Sequence, residues 1–400
     1  MAKISIKVGG HKLEQILSSS AYAPEEWHKI VQDKIPDDAE FPCHIGEGIP
    51  RRRSSSKPTS VHELRPGDID IIMVLGDSLS AGAAALEPTP LGFFTDHRGV
   101  SFVGGGEKTW REFTTLPNIL KEFNPHLYGY ATGKGTFFSE EAKFNVAISG
   151  SIDDDLLIQT QLLGKKVLQD SNVDLINDWK LINIFTGHND ICTYECFEPE
   201  RHSAEAHKLQ LKEVVDLIYD QIPRVFVNLI SVLDPTLNSR IPKTAACDIL
   251  RQIQCPCLLQ SPDLQENILN RTALAREYQR VEMELASDPR YNGRDDFAVV
   301  WQPLFLAFNG PMSAGEPECP EFSKLVSSKY PFHTPDCFHL NQRGSALAAR
   351  MLWNNMLEPV GSKTSTLKEI LRQTIKCPTK EMPYLFTAKN SAKYRMYSHQ

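Results

Sequence analysis

Ser78, Asp336 and His339 are the residues whose types and spacing could do chemistry together. A serine hydroxyl becomes a nucleophile once a base takes its proton, and histidine is such a base near neutral pH. In Asp336-Cys337-Phe338-His339 the carboxylate precedes the histidine by three residues. On one turn it can accept from one ring nitrogen and leave the other facing a serine. His333 lacks such a carboxylate, and His188 sits in the middle of a turn, so His339 is the expected base. Gly150 and Asn189 supply what a developing oxyanion requires, a close backbone N–H and a side-chain amide. Each residue also has an ordinary use as a cap or turn former, so the combination carries the argument.

Stepping along the chain, apolar runs stand just before these residues. Residues 71–75 are uninterruptedly apolar, as in a strand buried on both faces of a parallel sheet. Gly76 then permits a sharp turn, which places Ser78 where a strand gives way to a helix. The surroundings are not Gly-x-Ser-x-Gly, because Ser80 stands at the second glycine position. Further strands are expected at 144–150, 179–185, 224–232 and 297–301, with helices at 153–167, 204–219 and 341–357. The alternation predicts an α/β protein, with three α/β/α layers around a mostly parallel five-stranded sheet. Residues 1–58 read as an N-terminal extension with short helices at 13–17 and 24–31 and a linker at 51–58. Residues 59–362 read as the main domain, and 363–400 as a tail tethered by Cys377. Two long insertions, 83–135 and 235–262, interrupt the pattern, and loops of that length are commonly functional. Phe93, Phe94, Phe102 and Trp110 in the first are expected to wall a substrate groove.

The chain has 400 residues, 41% hydrophobic and 23% charged, the balance of a globular protein. A net charge of −7 argues against a dedicated nucleic-acid binder. No apolar run approaches a membrane span, and residues 1–8 hold no uninterrupted signal-peptide core. The nine cysteines lie mostly in loops, which suggests disulfides and an oxidising compartment. Cys192 with Cys196, and Cys43 with Cys377, are candidate pairs, and the odd count leaves a thiol over. A zinc site from Cys192/Cys196 and Cys255/Cys257 would have spacings that fit ordinary zinc ribbons poorly. Asn270-Arg271-Thr272 is an N-glycosylation acceptor triplet.

Taken in order, Gly76-Asp77-Ser78-Leu79, Gly150, Gly187-His188-Asn189-Asp190 and Asp336-x-x-His339 resemble the GDSL, or SGNH, hydrolase family. The resemblance extends to its phospholipase B branch. It runs through Ser60-Val61-His62-Glu63-Leu64-Arg65-Pro66-Gly67-Asp68, Arg98-Gly99-Val100-Ser101, Thr115-Leu116-Pro117-Asn118 and Trp353-Asn354-Asn355-Met356 to Pro383-Tyr384-Leu385. It implies an SGNH-type, flavodoxin-like fold and a serine esterase acting on phospholipids and lysophospholipids through an acyl-enzyme. Ser78, His339 and Asp336 would form the triad, with the oxyanion held by Ser78, Gly150 and Asn189. It also implies a secreted or membrane-associated extracellular protein that meets a membrane or micelle surface peripherally. No obligate protein partner and no cofactor or metal are implied, and no Asp-x-Asp-x-Asp-Gly calcium loop is present. The rival readings are an acetylesterase of carbohydrate or small esters and a non-catalytic lipid-binding protein, since fold alone does not fix substrate.

Overall fold

A computed structural model describes residues 7–8, 11–12, 24–43, 53–241, 244–313, 315–326 and 331–398. The helix expected at 13–17 and part of the 51–58 linker lie outside the described residues.

Four apolar runs form parallel strands in sequence order: β1 (Ile71–Gly76), β2 (Lys180–Phe185), β3 (Val225–Ile230) and β4 (Phe297–Gln302). Their register, Ile71 opposite Lys180 and Lys180 opposite Val225, brings the C-terminal ends to one edge. Side chains alternate between two cores, as strand geometry dictates. Ile72, Val74, Leu181, Phe185 and Phe226 face helix α6 (Gln342–Met356) through Ala348, Leu352 and Met356. Ile71, Met73, Leu75, Ile182 and Val227 face α2 (Leu156–Gln169), α3 (Ala204–Gln221) and the end of α5 (Leu264–Ala286). The three expected layers are therefore present.

The sheet has four strands, not the expected five. Residues 144–150 run beside β1, with Val74 N donating to Phe144 O at 3.0 Å and Ile148 N to Gly76 O at 3.0 Å. One parallel bridge forms, Val74 with Asn145, but no ladder, because Gly76 N, which would extend the pairing, donates to the Gln159 side chain instead. On the far edge of the segment its polar groups also go to side chains. The Arg98 guanidinium donates to the carbonyls of Asn145 and Ala147, and the Asn145 side chain accepts from Ala147 N.

Helix α5, at 23 residues the longest among the described residues, was not expected. Its buried face mixes Ala275, Tyr278 and Val281 with Asn267, Thr272, Gln279 and Glu282, so the apolar periodicity is broken. Asn270 of the acceptor triplet is exposed on α5, whereas Thr272 is buried. Residues 24–43 pack onto the domain through fully buried Ile30 and through Gln32 N donating to Gln342 at 2.7 Å.

Eight cysteines pair, as Cys43–Cys377, Cys192–Cys255, Cys196–Cys257 and Cys247–Cys337, leaving Cys319 as an exposed free thiol. The first pair was expected. Cys192 and Cys196 do not clip their own turn; each reaches instead into the second insertion, whose helix α4 (Ala245–Gln254) and following turn they fasten. The same two bonds occupy all four sulfurs of the zinc alternative. Among the described residues no helix is long and apolar enough to cross a membrane.

Candidate active site

β1 ends at Gly76, where φ is +149°. A Cβ there would stand 2.1 Å from the Phe185 carbonyl, so only glycine lets β1 turn against β2. Gln159 on α2 fixes this backbone, accepting from Gly76 N at 2.9 Å and donating to Gly76 O at 3.0 Å. Asp77 caps the short helix α1 (Ser78–Ala81) by accepting from Leu79 N. Ser78 is thus the first residue of the helix rather than its cap.

The loop before α6 carries Asp336 and His339. Asp336 Oδ1 accepts from Phe338 N at 2.9 Å, from His339 N at 3.1 Å and from the Thr334 hydroxyl. Its Oδ2 lies 2.6 Å from His339 Nδ1, and His339 Nε2 lies 2.8 Å from Ser78 Oγ. All three side chains are buried. Burial works against both charges. The His339 partner nevertheless holds Asp336 down at about 2, and the Asp336 charge and hydrogen bond raise His339 above its ordinary value of 6.5. His188 and His333 do not reach Ser78: His188 Nδ1 meets Asp77 at 2.6 Å, and His333 Nδ1 meets the Thr334 carbonyl.

Gly150 (φ +84°) and Asn189 stand at the ends of the two neighbouring segments, beside Ser78 in one cavity. Among the described residues no backbone carbonyl takes the N–H of Ser78 or Gly150. Asn189 donates one amide hydrogen to Ser151 O at 2.7 Å, which orients the other. All three residues border the cavity that holds Ser78.

The cavity has a volume of about 480 Å³. Phe93 and Phe94 line it. Phe102 and Trp110 do not. Phe102 is fully buried between Phe185 and Phe305, and Trp110 lies edge-on to Phe41 in the core. Their places are taken by Phe137, Tyr194, Ile253 and Phe338, all of which lie outside the first insertion.

The sequence profile of the GDSL-like lipase/acylhydrolase family matches residues 72–352. The chain belongs to that family. It is 38% identical over 379 residues to membrane-associated phospholipase B1 of Mus musculus, covering 93% of this chain and 24% of that protein. It is 38% identical over 346 residues to the Homo sapiens counterpart, covering 85% of this chain and 23% of that one. The chain therefore spans about a quarter of the length of these relatives.

Other residues support the site in this GDSL-like chain, and of these Asp153, His202 and His207 were not singled out from sequence. His188 joins three strand ends: its Nδ1 donates to Asp77, and its Nε2 accepts from Leu233 N at 3.0 Å, just beyond β3. Asp190 accepts from Asp153 N at 3.2 Å and holds His202 at 2.7 Å, while Asp153 holds His207 at 2.7 Å. Burial and the nearby Asp153 charge raise Asp190 to about 6. Against the cost of burial, Asp153 raises His207 to about 10. Arg98, also buried, donates to the carbonyls of Gly135, Asn145 and Ala147 and to Asp96, whose other oxygen accepts from Ser149 at 2.6 Å. Signals were available: paired His and Asp near the turn residues, and an arginine amid glycines. Only the fold tells which turn each one braces.

Proposed function

We propose that the chain is a serine esterase that cleaves the acyl ester bonds of phospholipids and lysophospholipids, with residues 59–362 as its catalytic unit. The observation that carries this is the unbroken hydrogen-bonded series Asp336–His339–Ser78 opening into an aromatic-lined cavity. His339 takes the Ser78 proton as Oγ attacks the ester carbonyl, and Asp336 holds the imidazolium that forms. The N–H groups of Ser78 and Gly150 and the Asn189 amide receive the oxyanion, each worth about a hundred- to thousandfold in turnover. His339 then returns the proton to the departing alcohol, leaving the fatty acyl group on Ser78 Oγ. Water, activated by His339 in turn, releases the fatty acid and restores the serine.

The aromatic wall favours a long acyl chain, which gains about 0.8 kcal/mol per buried methylene. The names of the relatives, phospholipase B1, support the same substrate class. Four disulfides fit an extracellular, oxidising setting.

The test is fluorophosphonate labelling of the wild type and Ser78→Ala, followed by a scan of esters from acetyl to long-chain phospholipid with and without EDTA. Labelling and turnover should vanish together in the variant, turnover should rise with acyl length, and EDTA should change nothing. Acetyl esters preferred over every lipid would assign the site to small esters instead.

A further inference from the structure

Four separate chain segments bring a large apolar side chain to the mouth of the cavity and leave it in water. Phe94 is 78% exposed, Phe138 73%, Ile253 62% and Tyr194 40%. Phe94, Tyr194 and Ile253 line the cavity while remaining this exposed, which puts them at its opening. Phe138 lies outside the lining, with its ring centroid 4.0 Å from that of Phe137, which is inside. Exposed apolar residues scattered singly are ordinary; four converging on one opening mark an interaction surface.

We propose that this rim is a docking surface for a zwitterionic phospholipid bilayer or micelle, and that it seats the mouth of the site directly on the lipid. The location rests on the esterase reading above; the binding itself does not. The occupant follows from continuity. The rim runs without a break into the cavity that receives the acyl chain, so a chain leaving a lipid surface pressed against it stays in apolar surroundings. A protein partner on the same rim would close the entrance.

Charge selects the kind of lipid. The cavity lining includes Asp96 and His339 but no lysine or arginine, and the whole chain carries −7. Anionic lipid would repel such a molecule over the distances that precede contact, whereas a neutral surface admits it through apolar area alone. The rim also stands ready before contact. Cys247 and Cys255, at the two ends of the segment that presents Ile253, are bonded to Cys337 and Cys192, and Phe93 and Phe94 lie against one another at 3.9 Å.

The experiment is flotation of the full chain carrying Ser78→Ala, so that lipid is not consumed, with phosphatidylcholine or phosphatidylglycerol vesicles at low salt. The chain should partition onto phosphatidylcholine at least as well as onto phosphatidylglycerol. Adding Phe138→Ser should weaken that partition by about five- to tenfold, the scale of losing one ring from an apolar contact. With Ser78 intact, Phe138→Ser should hydrolyse a water-soluble butyrate ester as the wild type does, which also shows that the variant is folded. Unchanged partition in Phe138→Ser, or stronger binding to phosphatidylglycerol, overturns the proposal. Vesicle binding together with a wild-type chain that hydrolyses no ester would overturn the esterase reading and leave the docking surface standing.

Discussion

Cys247 and Cys337 are joined by a disulfide, and that bond fastens α4, which lends Ile253 and Gln254 to the cavity wall, to the loop that carries Asp336 and His339. Cys337 holds a left-handed backbone (φ +64°) between the carboxylate and the imidazole. Its carbonyl accepts from Asn238 at 2.7 Å, and Asn238 is held in turn by Arg251. The loop is therefore fixed from outside the sheet. Replacing both cysteines by alanine should lower kcat about ten- to hundredfold, since displacing a catalytic group by about 1 Å costs on that order. The matching Cys43/Cys377 double variant, remote from the cavity, should lose melting temperature and keep kcat. Steady-state kinetics beside thermal unfolding separates the two; equal kcat losses would show that the Cys247–Cys337 bond has no special bearing on the loop.

As the proposed base, His339 must be neutral to accept the serine proton. Burial lowers His339, and the Asp336 charge and hydrogen bond outweigh it, leaving His339 above 6.5. The value of kcat/KM should therefore fall as pH drops through a midpoint above 6.5. Asp336→Asn removes the opposing charge and leaves burial, so the midpoint should move down while turnover falls about 10⁴-fold. A pH–rate profile with the same midpoint in both proteins would remove Asp336 from contact with the base.

Arg98 fixes the path of residues 145–149, and that path sets where the Gly150 N–H points. A lysine has no planar fork and cannot serve three carbonyls and a carboxylate at once. Arg98→Lys should thus lower kcat by about tenfold or more with little change in KM, as expected where an oxyanion donor has shifted. Comparison with Ser149→Ala, which removes only the outermost bond to Asp96, should show a much smaller loss.

What could be read from the sequence was the set of strand ends, because chemistry and hydrophobic pattern coincide there. Ser78, Asn189 and His339 each follow or precede an unmistakable apolar element. The fifth strand stops at a single bridge because Gly76 N, which would continue the pairing, is taken by Gln159 from a distant helix, a contact no local pattern reports. Phe102 and Trp110 failed for a different reason. Aromatics in an insertion look alike whether they face a cavity or the core, and the two insertions contribute unequally to the wall. The cysteine partners of the 192–196 turn were hidden because disulfide connectivity depends on where the second insertion folds back.

The buried pairs behind the turn that carries Asn189 make stability depend on pH in a stated direction. His207 is raised from 6.5 to about 10, so its contribution is complete below 6.5 and is lost as pH rises through about 10. Asp190, raised from 3.8 to about 6, has the same sign over a lower window. Unfolding by urea should therefore become easier from pH 6.5 towards 10, and His207→Gln should flatten that slope. A wild-type midpoint that rises across this window would contradict the assignment.

Phe102 lies in the first insertion and Phe137 just beyond its end, and the two should answer to different measurements. Phe102 is enclosed by Phe185 and Phe305, so Phe102→Ala leaves a hole in the core and should cost about 3–5 kcal/mol of folding stability. Phe137 lines the cavity and supports the exposed Phe138. Phe137→Ala should cost little stability, yet reduce kcat/KM for long acyl esters while sparing butyrate, because only a long chain reaches that part of the wall. The two variants are compared by urea unfolding and by the ratio of long-chain to butyrate hydrolysis. If Phe102→Ala alters the acyl-length ratio and Phe137→Ala does not, the cavity is not the acyl site.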